Sequence, residues 1–80
     1  MAINALEVKK SFDIFKAKRL DESDPDKLYI GYAVAGVLNT EAKWSIVKIE
    51  KVSNVTSWEW ANGNIAANKV WDDRATYTYT

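Results

Sequence analysis

The sequence predicts a mainly all-β fold. We expect a small antiparallel sheet of about five strands, with a sandwich or an open barrel as its curled forms, preceded by an N-terminal arm or a short helix. Three observations predict it. Runs rich in β-branched and aromatic residues recur along the chain, clusters of Asp, Asn, Ser, Gly and Pro separate them, and several of the runs alternate with period two. Eighty residues suffice for one domain with a thin core. We divide the chain into an arm over residues 1–11 and a single β domain over residues 12–80.

In residues 1–11, Ile3, Leu6 and Val8, continued by Phe12, can be read as a weak helical stripe or as a flexible arm. Residues 12–20 alternate as a strand with mixed faces, although Val8, Phe12 and Phe15 would also line one side of a helix. Residues 21–27, Asp-Glu-Ser-Asp-Pro-Asp-Lys, hold the only Pro and read as a hairpin tip. Residues 28–35 form an apolar, aromatic run of strand length, in which Gly31 signals a bulge or a close backbone approach. Gly36 ends it, and residues 37–43 make a connection with room for a short helical turn begun by Asn39 or Thr40.

Residues 44–52 are β-branched and become alternating, so they predict a strand. Ser53-Asn54 is a short turn, and residues 55–61 return as a second strand with Thr56, Trp58 and Trp60 on one face. Asn62-Gly63-Asn64 is a strong turn signal, because Asn and Gly accept positive φ. Residues 65–70 suit one irregular or helical turn. Residues 74–80 alternate Thr with Ala75, Tyr77 and Tyr79, which predicts a final strand.

Composition excludes several chemistries. Without Cys or His there are no disulfides, no zinc finger and no His-dependent triad or general base. Eleven basic residues balance eleven acidic ones, so no net field favours nucleic acid. The acidic residues Asp21, Glu22, Asp24 and Asp26 lack EF-hand spacing and read as a solvated tip. Asp72 and Asp73 beside Arg74 have no nucleophile, phosphate loop or metal ligands to accompany them. A turn cap, with Arg74 paired to a carboxylate or stacked on a Trp, is the simpler reading. We therefore expect no enzyme activity, no catalytic residue, no metal and no cofactor. No apolar stretch approaches the ~20 residues of a membrane span, and the start of the chain lacks the pattern of a secretory signal.

Four Trp and four Tyr are many for so short a chain, and they serve a core or an interface. Trp44, Trp71, Ile46, Ile49 and Tyr29 are the core candidates. Trp58, Trp60, Tyr77, Tyr79 and Arg74 are the interface candidates. Trp58, Trp60 and Tyr77 could also form a stacking platform for sugars or bases.

A resemblance goes further. Residues 29–36, Tyr-Ile-Gly-Tyr-Ala-Val-Ala-Gly, and 42–49, Ala-Lys-Trp-Ser-Ile-Val-Lys-Ile, begin it; residues 60–64, Trp-Ala-Asn-Gly-Asn, and 70–79, Val-Trp-Asp-Asp-Arg-Ala-Thr-Tyr-Thr-Tyr, strengthen it. This pattern resembles small proteins encoded among the structural genes of tailed bacteriophages and prophages. Where this chain has Val34-Ala35-Gly36, many of those proteins carry a Pro before the Gly. The resemblance implies a virion component made in the host cytoplasm, acting through other virion proteins as a homo-oligomer or in many copies. Tail, baseplate or fibre is the leading placement, and capsid cement or neck the alternative.

Overall fold

The computed structural model describes residues 17–80. The expected arm and the part of the first expected strand before Ala17 lie outside the described residues. The described chain is one open antiparallel sheet of five strands: β1 (Ala17–Asp24), β2 (Lys27–Tyr32), β3 (Ala42–Val52), β4 (Val55–Trp60) and β5 (Lys69–Val70). β1 to β4 follow in chain order, and β5 pairs with the first residues of the long β3. A single 3₁₀ turn, Trp71–Asp73, follows β5.

Both tight hairpins have local causes. Ser53 takes φ 54° between the paired Val52 and Val55, so the chain reverses in two residues. The first hairpin is tighter than its acidic sequence suggests. Residues 21–27 do not form an open tip, because β1 continues to Asp24 and only Pro25 and Asp26 turn. The carboxylates satisfy the backbone locally instead of breaking the ladder: Asp21 Oδ1 accepts from the Ser23 N–H at 2.9 Å, and Asp24 Oδ1 accepts from the Asp26 N–H at 2.8 Å. The register shift between Asp21 and Asp24 absorbs the one extra residue on β1.

β2 stops at Tyr32, three residues before the expected end. The connection that follows has two turns, at residues 35–36 and 39–40, the second closed by the Glu41 N–H on the Leu38 carbonyl at 3.1 Å, and no helix. Residues 65–68 are irregular before β5.

Alternation gives the sheet two faces. One carries Leu28, Ile30, Val47 and Ile49, all buried, with Tyr32 and Trp60 beside them. The other carries Trp44, Ile46 and Ala61, and there the C-terminal segment packs, bringing Trp71, Tyr77 and Tyr79. That segment corrects the expected final strand. Residues 74–76 are turn, and the terminus meets the sheet only at the end of β4, where Trp60 and Thr80 exchange N–H to carbonyl bonds at 3.1 and 3.2 Å. The alternating Thr and Tyr residues have β propensity, but only Trp60 at the end of β4 and the two residues after it pair with them, so most of the segment crosses the sheet as a strap.

Candidate functional site

The strap is held by side chains the sequence singled out. Arg74 lies over the Trp71 ring at 4.7 Å, and its Nε donates to Asp21 Oδ2 on β1 at 2.9 Å. Both of the roles expected of Arg74 are thus filled at once. Its Nη1 also donates to the Trp71 carbonyl at 3.1 Å. The Tyr79 hydroxyl donates to the Arg74 carbonyl at 2.6 Å, and the Tyr77 hydroxyl accepts the Val70 N–H at 2.8 Å. The Tyr79 ring sits 5.7 Å from that of Tyr29, with the Lys48 ammonium 5.1 Å away.

Beneath the strap, Trp71 and Trp44 pack with ring centroids 5.7 Å apart. Gly31 makes room for them. A Cβ there would stand 2.6 Å from Trp71 Cε3 and 3.0 Å from Trp44 Cε3. The close approach is therefore of two indole rings, and the irregularity in the ladder lies opposite, between Ala17 and Arg19 of β1.

Titration follows this packing. The Ser23 hydroxyl and backbone N–H, with Arg74, hold the Asp21 carboxyl below the usual range against an opposing effect of burial. Burial first, then the neighbouring Tyr29 and Tyr77, pushes the Tyr79 phenol well above its ordinary value. Lys69 is buried and its ammonium is pushed down by desolvation, yet it donates to the Ala66 carbonyl at 3.2 Å and to Asn64 Oδ1, tying the irregular loop to β5.

The core candidates Trp44, Trp71, Ile46 and Ile49 are buried, and Tyr29 is partly buried. Among the interface candidates, Trp58 is exposed on β4 while Trp60, Arg74, Tyr77 and Tyr79 are partly buried. Trp60 belongs to the face of Leu28 and Ile30, and Tyr77 to the face of Trp44 and Ile46. Trp58, Trp60 and Tyr77 are therefore not brought onto one stacking surface. Neither Asp72 nor Asp73 caps the 3₁₀ turn with its side chain; both are exposed.

Sequence reasoning missed the exposed apolar ends of the sheet. Val34, Leu38 and Ile65 lie in the loops at the end where β2 and β4 finish, and Val52 and Val55 flank the turn at the opposite end. Apolar residues beside Gly36 and Asn64, or around Ser53-Asn54, were the available signal, since turns normally carry polar residues there.

No protein-family model, curated protein or solved structure matches the chain.

Proposed function

We propose that the chain is a non-enzymatic structural component of a tailed bacteriophage particle, working through protein contacts in the tail, baseplate or fibre apparatus. The observation that carries the assembly role is the pair of apolar ends. Val34, Leu38 and Ile65 at one end and Val52 and Val55 at the other leave large apolar side chains exposed at both ends of a thin sheet. Such groups gain from burial against neighbours, and multicopy assemblies supply neighbours at both ends of a subunit. The placement in a phage rests on the resemblance of residues 60–64 and 70–79. Those residues form the strap and its contact with the end of β4.

A mass-spectrometric inventory of purified particles tests this reading. The chain in many copies per particle is the expected result, and its absence from complete particles refutes the proposal. Val52→Glu with Val55→Glu should leave the isolated fold intact and reduce incorporation at least tenfold. Normal incorporation of that variant would refute the role of this end.

A further inference from the structure

The two edge strands of the sheet are built differently. β1 carries charged residues at Lys18, Arg19, Asp21, Glu22 and Asp24, and its register with β2 shifts twice. Charges and irregularities of this kind keep an edge from taking another strand. β4 has neither device. Its pairing with β3 runs without a shift from Val55 to Trp60, and its one charged residue, Glu59, lies 4.0 Å from Lys48 of its own sheet.

The hydrogen bonds fix which groups point off the β4 edge. Ala61 turns its N–H to the Ile46 carbonyl of β3 at 2.9 Å, whereas Trp60 turns both of its backbone groups outward to Thr80. Alternation along the strand then directs the N–H and carbonyl of Thr56 outward, and those of Val55 and Ser57 toward β3. The backbone bonds of the strap reach no further along β4 than Trp60, and among the described residues no strand lies beyond Thr56.

We propose that this edge pairs with the same edge of a second copy of the chain, antiparallel, about a two-fold axis at Thr56. The Thr56 N–H of each copy donates to the Thr56 carbonyl of the other, and the two sheets become one. Two observations choose this occupant and this register. Val52 and Val55 face each other across the β3–β4 hairpin and are each 64% exposed. The axis at Thr56 sets Val55 opposite Ser57 of the second copy and brings the two Val55 residues to about 7–8 Å on the diagonal, so that each Val52–Val55 pair shields the other. An axis one residue further along, at Ser57, would set Val55 against Glu59 instead. Charge agrees with the pairing: Glu59 faces Ser53 of the second copy, so no like charges stand opposite each other on the paired strands, whereas β1 of a second copy would bring its shifts and its five charges. A symmetric contact of this kind closes on itself as a dimer. The inference names a partner for the Val52–Val55 end of the assembly role proposed above. Its placement in a phage is tested separately, by the inventory of particles.

Sedimentation equilibrium of the full chain over a concentration series should show a species of twice the 9.1 kDa chain mass. Amide exchange across the same series should slow at Thr56 as the dimer forms, while Ser57, bonded to β3 in both states, stays unchanged. Thr56→Pro removes an N–H that the sheet of one copy does not use, a position where an edge strand accepts proline. That variant should fold, as read by circular dichroism, and associate at least tenfold more weakly. Where it does not fold, the exchange of Thr56 in the natural chain decides. A chain that stays monomeric throughout the series, a folded Thr56→Pro that dimerises as before, or a dimer in which Thr56 exchanges as fast as in the monomer would each overturn the proposal.

Discussion

Substituting Gly31 by Ala adds one methyl group where two buried indole rings already close over the backbone. The new Cβ would lie 2.6 and 2.7 Å from Cε3 and Cζ3 of Trp71 and 3.0 Å from Cε3 of Trp44. Carbon atoms prefer about 3.5–4.0 Å, so Trp71 must retreat by about 1 Å. It has little room to do so. Its ring is buried, packed on Trp44 and overlaid by Arg74, which is itself tied to Asp21. Overpacking of this kind costs about 1–3 kcal/mol, and two rigid rings place the cost toward the upper end. Replacing Gly in a strand returns about 0.5–1 kcal/mol of backbone entropy, leaving a net loss of about 2 kcal/mol. A domain of this length has about 4–12 kcal/mol in total, and the melting temperature should fall by roughly 8–16 °C. Urea titration followed by tryptophan fluorescence and near-ultraviolet circular dichroism gives the difference directly. In a Trp71→Leu background the same substitution should cost under about 1 kcal/mol, because the nearest ring is gone. An unchanged melting temperature, or an equal penalty in both backgrounds, would refute the strap packing.

Asp21→Asn should destabilise the protein by on the order of 1 kcal/mol near neutral pH, by removing a partly buried charge-assisted pair. Because the folded carboxyl titrates below its unfolded value, its contribution is present above that value and is lost as pH falls through the folded one. Urea midpoints of the two proteins should therefore converge as pH falls below the ordinary carboxylate range, and a constant gap would show that the charge is irrelevant. Tyr79 has the opposite sign: its folded phenol is raised, so the unfolded chain ionises first and stability should decline as pH climbs past about 10. Tyr79→Phe should flatten that decline and cost about 1 kcal/mol at neutral pH through the lost bond to the Arg74 carbonyl; an identical alkaline limb in both proteins would contradict the assignment. Ser53→Gly relieves a side chain held at φ 54° and should add about 0.5–1 kcal/mol, read as a higher melting temperature. A lower one would mean that Ser53 contributes more than its strain.

What the sequence by itself determined about this protein is its local grammar. The β3–β4 hairpin follows from β-branched alternation on either side of Ser53-Asn54, and the turn at Asn62-Gly63 from two residues that accept φ of 55° and 72°. The mainly β class follows from the same short-range signals, because strand propensity and turn chemistry act over a few residues. Only the tertiary structure decided where the C-terminal aromatics go. The alternation of Tyr77 and Tyr79 does put both rings against one cluster, but strands exist only where an edge is available. The Trp60–Thr80 exchange and the Asn62–Thr78 bond engage a stretch of three residues that begins at the last residue of β4. The acidic run was likewise illegible locally, because Asp21 acquires its role from Arg74, fifty-three positions away. Gly31 announced a close approach, but not by what, since the indole rings that fill its space arrive from β3 and from the turn after β5. Each of these turns on contacts between distant segments. No local preference encodes such a contact, and packing settles it once every element competes for the same two faces of one sheet.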